Sequence, residues 1–260
     1  MHTPPGLLPI VLSGLLWAVV VEAVPQRVRL PEGNTHGFLI VRTLDGEAIA
    51  YGELIAKPTR GLITSRMLLR FNDGSLYDET LAFSQKEVFR LERYRLVHHG
   101  PSFPKADITF DRKSGQYRVQ QQEQKDSEEK TASGPLEMPD DLYNGMTATL
   151  LKNLPRGTGG TVQMVAFTPK PRLVKMELTA DGEEQVLVGK DAKPVTHYIV
   201  KLDLGGLAGL IAPVVGKQPP DLHYWLVTGD VPAFVRFEGP MFLHGPVWRL
   251  ELTTVQWPKK

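Results

Sequence analysis

The sequence predicts a mostly β fold: a highly curved antiparallel sheet, a half barrel or open barrel, with one α-helix packed in its concavity or across its mouth. Three observations predict it. Short runs alternate apolar and polar residues with the period of two that half-buried strands need. Turn signals such as Asp45-Gly46 and Asn72-Asp73-Gly74 separate those runs. One stretch, around Leu142, Met146 and Leu150, stands out with a helical period. A chain of 260 residues can bury a sizeable core, and 42% hydrophobic residues exclude a largely disordered protein.

The elements follow in order. Residues 6–21 carry no charge, and at that length they fall short of the ~20 residues a membrane span needs. With Val21-Glu22-Ala23 behind them they read as an export signal cleaved after Ala23. An N-terminal membrane anchor is the alternative, because Met1 to Pro5 holds no Lys or Arg. No second apolar run reaches spanning length, so no transmembrane span is expected in the mature chain. Residues 24–37 form an extended, polar lead-in, and 38–260 a single β domain. Strands are predicted at 38–43, 48–56, 62–71, 76–84 and 88–97. In the last of these, strict alternation places Phe89, Leu91, Arg93, Arg95 and Val97 on one side. Short strands at 108–110 and 117–119 flank a turn, and 120–133 reads as a solvated loop or long hairpin tip. The helix is expected to start at Pro139, with Asp140 and Asp141 in its first turn, and to end at Asn153 and Pro155. Further strands are predicted at 162–167, 173–179, 185–188, 195–202, 223–227, 233–237 and 247–255, with Asp181-Gly182 as a hairpin turn. The alternative architecture is two smaller β domains hinged near 120–133.

This pattern resembles exported bacterial β proteins of unknown function whose fold is similar to the lipoprotein-localisation factors LolA and LolB. The residues that carry the resemblance are Asp78-Glu79-Thr80-Leu81, Phe110-Asp111, Asp141-Leu142-Tyr143-Asn144-Gly145-Met146, Tyr224-Trp225-Leu226 and Val231-Pro232-Ala233-Phe234-Val235. They spread over nearly the whole mature chain. The resemblance implies a half barrel of about eleven strands with a hydrophobic interior that binds lipid or lipoprotein. It carries over no functional residue.

Composition narrows the chemistry. Thirty basic against 29 acidic side chains give no support to nucleic-acid binding. The absence of cysteine excludes disulfides, thiolate metal sites, thiol nucleophiles and a lipoprotein anchor. No Gly-x-Ser-x-Gly, Ser-x-x-Lys, His-Glu-x-x-His or phosphate-binding glycine loop occurs. Asp78 and Glu79 are strand neighbours and face apart. His197 and His223 lie on strands that can pair, and Asp221 or Asp203 is within reach in sequence, but no ligand spacing supports a metal. No cofactor or metal is expected.

The most unusual segment is 204–216, Leu-Gly-Gly-Leu-Ala-Gly-Leu-Ile-Ala-Pro-Val-Val-Gly, which has no polar side chain where a polar loop is normal. Leu207, Leu210, Ile211, Val214 and Val215 are the candidate ligand-binding or lid residues, with Lys217 beside them; the alternative is a plug buried as ordinary core. Arg93 and Arg95 are candidate anion contacts. The expected function is an exported, periplasmic or secreted envelope protein that binds a hydrophobic ligand, a lipid or acylated segment, in a concave sheet. The alternative is a structural or protein-interaction module of the envelope with no small ligand.

Overall fold

The computed structural model describes residues 25–122, 127–168, 170–188, 190–203, 219–229, 231–253 and 255–256. The predicted export signal and the segment 204–216, with Lys217, lie outside the described residues. The chain forms one antiparallel sheet. Its first half is a meander of β1 (Thr35–Arg42), β2 (Ala48–Thr59), β3 (Leu62–Phe71), β4 (Leu76–Gln85), β5 (Phe89–His99), β6 (Lys105–Asp111), β7 (Gln116–Gln122) and β8 (Lys130–Pro135). After α1 (Thr147–Asn153) come β9 (Gly160–Thr168), β10 (Lys170–Val188), β11 (Asp191–Asp203), β12 (Leu222–Val227), β13 (Ala233–Pro240), β14 (Val247–Leu252) and the two-residue β15 (Val255–Gln256). β14 pairs with β1, which joins the two meanders into one curved sheet. Its interior holds two apolar clusters. One packs Leu81, Phe83, Phe89, Leu91 and Tyr94 against the helix residues Leu150 and Leu151; the other gathers Leu39, Leu69, Phe71, Tyr77, Phe103 and Trp248.

The curved, mostly β fold with one helix is the predicted class, but two strand readings are corrected. First, alternation breaks in β5. Ala82 pairs with Arg93 while Phe83 pairs with Leu91, so Glu92 is a bulge residue without a partner. The inserted residue inverts the phase. Phe89, Leu91, Tyr94 and His98 are buried, whereas Arg93 and Arg95 point to the outer face, away from Phe89 and Leu91. Second, Asp181-Gly182 is not a hairpin turn. Ala180 pairs with Tyr198 and Gly182 with His197, so β10 runs through as one long strand with Asp181 bulged out. The segment 120–133, expected as a solvated loop or long hairpin tip, is the end of the β7–β8 hairpin, with pairing from Gln121↔Lys130 to Gln116↔Pro135.

The helix is shorter than its apolar stripe suggests, and residues 140–146 serve another purpose. Gly145 has φ +71°, outside the right-handed helical region, so the helical path begins only after it. Its N-cap Met146 makes no side-chain capping bond, and the two aspartates expected in the first turn lie outside the helix. Asp140 is exposed and pairs with Arg90 at 2.9 Å. Asp141 is buried and lies beside β9. Among the described residues β8 and β9 do not pair, so the sheet stays open between them. The stretch before the helix covers the β9 edge of that gap and reaches across to β5. On the β9 side, Gln163 N donates to Asp141 O (3.0 Å) and Tyr143 N donates to Gln163 O (2.8 Å). The Asn144 amide then takes both backbone groups of Val165, accepting from its N at 2.8 Å and donating to its O at 2.9 Å. On the opposite side, Arg112 donates to Leu91 O (2.7 Å) and Pro139 O (2.8 Å). Backbone groups that an open edge would leave unpaired in the core are thus satisfied without barrel closure.

The lead-in is anchored to the same region. Tyr143 donates its hydroxyl proton to Phe89 O (3.0 Å) and accepts from Gln26 N (2.8 Å). Burial pushes that phenol up to about 12. Asn153, fully buried at the end of α1, accepts from Arg29 N and Leu30 N (2.8 and 2.7 Å).

Candidate ligand site in the sheet interior

The site emerges from the exposure of successive interior rows. Cross-strand register places Leu39, Leu69, Tyr77, His98 and Ala106 in one row, all buried, with Gly52 among them. Four residues away along each strand, Ala56, Leu81, Tyr94 and Phe110 are buried in another row, with Ser65 partly exposed among them. The row between them, Gly37, Leu54, Met67, Glu79, Leu96 and Ile108, faces the same way and stays partly exposed at every position. Leu96, Leu222 and Tyr224 touch both apolar clusters, which sets this row at their junction. Close-packed interiors leave few voids. A whole row of accessible positions between two mostly buried rows therefore marks accessible interior surface, walled mainly by aliphatic groups.

Glu79 is the charged residue of this row. It stands between Tyr77 and Leu81 on β4, partly buried, and its Oε1 accepts the Tyr94 hydroxyl at 2.7 Å. Burial raises the Glu79 pKa; the Tyr94 and Tyr77 hydroxyls, which favour the charged form, offset only part of that. The same burial, with the Glu79 charge nearby, raises Tyr77 and Tyr94 well above the usual phenol range. Tyr224 faces the acid from β12 and meets Thr147 at the start of α1. Gly145 closes the group. A β-carbon there would lie 2.7 Å from Leu81 Cδ2 and 3.1 Å from the Glu79 carboxyl carbon, so the left-handed φ and the close approach both require glycine.

A carboxyl whose pKa is raised by folding lowers stability once pH exceeds its ordinary value, because the folded state then holds a proton that the unfolded chain has released. The penalty grows as pH rises through the folded pKa and is complete above it. Glu79→Gln, which keeps an acceptor for Tyr94, is therefore expected to be more stable than the wild type at pH 8, and the gain should vanish by pH 4. Urea unfolding at the two pH values checks this.

The other candidates lie elsewhere. Asp78, the strand neighbour of Glu79, does face outward, where Arg66 holds it at 2.6 Å and keeps its carboxyl below the usual range. Arg93 and Arg95 line an outer groove of about 500 Å³ with Thr64, Thr80, Thr109 and Arg118. Arg95 already forks onto Asp107 at 2.9 and 3.2 Å. His98 is buried against Tyr77 and Phe103 while His99 is exposed, as adjacent strand positions require.

His197 and His223 do meet, on the outer face, with ring nitrogens 3.0 Å apart. The acid beside them is neither Asp203 nor Asp221 but Asp181, which the β10 bulge aims at His197 Nδ1 (3.0 Å). The His197 ring also stacks on Trp225, with centroids 4.4 Å apart. Among the described residues no group of three or more histidines and carboxylates is placed to hold a metal ion.

The sequence reading passed over Glu79 as a site. Its position between the interior residues Tyr77 and Leu81 was the available signal, since period-two alternation puts an acid there on the apolar face.

Among the described residues no helix is long and apolar enough to cross a membrane. No protein-family model matches the chain, and no curated protein matches it. Among solved structures it is similar to a beta-barrel-like protein of the domain of unknown function DUF1849 from Brucella abortus, at 10% identity and a TM-score of 0.43, over 88% of this chain and 99% of that one.

Proposed function

We propose that this protein is exported and binds a hydrophobic ligand, a lipid or an acylated protein segment, in the concave face of its sheet, in the manner of the LolA and LolB fold. The observation that carries the reading is the accessible interior row of Leu54, Met67, Leu96 and Ile108 between two sealed clusters. Ligand pockets are typically concave and apolar with a few placed polar groups, and Glu79 with its tyrosines is such a group. The sequence adds two supports. Residues 6–21 have the length of an export-signal core, with Val21-Glu22-Ala23 behind them as a cleavage site. The apolar segment 204–216 lies between Asp203 and Leu222, and Leu222 is one of the residues that join the two clusters.

Organic extraction of protein purified from its native host, followed by mass spectrometry, should release a stoichiometric apolar molecule. In a fluorescent acyl-probe titration, Met67→Trp should fill the row and weaken binding by about tenfold or more, the equivalent of ~1.4 kcal/mol, with the thermal transition still cooperative. Extracts without ligand, together with no probe binding, would replace this reading with that of an envelope interaction module without a small ligand.

A further inference from the structure

The interior row poses an electrostatic question that a purely apolar cavity would not. Glu79 is partly buried, yet among the described residues no cation is among the groups acting on it; its partners are the phenols Tyr94 and Tyr77. The nearest interior positions in register, Met67, Leu96 and Leu81, are uncharged. The two basic side chains best shielded near the helix are committed elsewhere: Arg112 to the backbone oxygens of Leu91, Met138 and Pro139, and Lys152 to Glu32. A buried carboxyl with no counter-charge is destabilising, and such groups persist where they meet something else.

We propose, resting on the hydrophobic-ligand reading above, that the interior selects apolar molecules whose polar end donates hydrogen bonds and carries positive charge, a long-chain amine, and discriminates against long-chain carboxylates. Three features point that way. The acid supplies acceptor capacity beyond the bond from Tyr94, which an ammonium group can use. The hydroxyls of Tyr77 and Tyr94 meet the acid and Tyr224 lies near it, so phenol oxygens add acceptors for an ammonium group. A carboxylate head would lie beside Glu79, and two carboxylates in a poorly solvated space cannot both stay ionised without cost. Gly145 keeps the approach to the carboxyl free of any side chain from the helix end, and it remains exposed where it does so.

The test uses dodecylamine, dodecanol and dodecanoate, each below its micelle concentration, titrated by calorimetry at pH 8 into the full mature chain and into Glu79→Gln. Because hydrogen bonds to a charged group are stronger than those between neutral groups, the amine should bind the wild type at least about tenfold more tightly than dodecanoate, with dodecanol between. Glu79→Gln should remove that preference, because the amide keeps an acceptor but carries no negative charge to hold an ammonium or repel a carboxylate. Glu79→Met, apolar and of similar volume, repeats the measurement should Gln disturb the row, and should also abolish the amine preference. Binding of all three ligands with equal affinity, or an amine preference that survives both substitutions, overturns the head-group assignment and leaves hydrophobic binding standing. Binding of none of the three overturns both.

Discussion

Replacing Asn144 by alanine is expected to destabilise the protein by roughly 2–4 kcal/mol, because it leaves two buried backbone groups without partners. Asn144 is 5% exposed, and its one amide satisfies both the N–H and the C=O of Val165 on the edge that β9 presents to the gap in the sheet. An alanine side chain offers neither donor nor acceptor, and water has little access to the site. Urea denaturation should show the loss in the midpoint with little change in slope. Hydrogen exchange should localise it, since the Val165 amide ought to lose protection before the amides of β10. Asn144→Asp is a sharper control. It keeps the acceptor for Val165 N but turns the donor facing Val165 O into an oxygen, so two acceptors oppose each other. It should cost at least as much as alanine.

The second large effect is expected at Phe89. Its side chain is 0% exposed, sits edge-on to Phe83 with ring centroids 5.9 Å apart, and belongs to the cluster that packs the helix against the sheet. Phe89→Ala should cost about 3–5 kcal/mol, the usual range for an aromatic truncated in a core that cannot collapse around the cavity. The cost is raised further by position. The backbone of Phe89 donates to Gln26 O and accepts from the Tyr143 hydroxyl, so a shift of β5 also loosens the lead-in and the stretch before α1. Phe38→Ala provides the contrast. Phe38 is 61% exposed on the outer face of β1, and its truncation should change stability by less than about 0.5 kcal/mol. Equal losses at the two positions would mean that β1 and β5 do not present these faces as described.

Much of the strand plan was legible because it depends on local chemistry. Leu62–Phe71 is one strand with the predicted bounds, since alternation there is unbroken and Asn72-Asp73-Gly74 ends it with a turn in which Gly74 has φ +86°. The errors cluster where one residue is added. Nothing in the local pattern distinguishes Glu92 or Asp181 as a bulge, because a bulge is defined by the partner strand, which shows one residue where this strand shows two. Once Glu92 is inserted, Arg93 and Arg95 move to the outer face and the anion contact proposed for them leaves the cavity. Asp181, read as part of a turn, becomes the partner of His197 for the same reason. The helix was overextended because residues 142–146 carry helical spacing of apolar groups, which a buried strap lying across a core also shows.

What the sequence determined by itself is therefore the class of fold: a period of two, punctuated by glycine turns, commits most of the chain to antiparallel strands, and a brief period near 3.6 allows one helix. That information is local, held in side chains within a few positions of each other. The tertiary structure alone decided which face each arginine takes, that residues 140–146 cover an open edge, and that the row containing Glu79 stays accessible between two closed clusters. These outcomes depend on register and packing between strands far apart in the chain, where one bulge or one unpaired edge changes the environment of every residue beyond it.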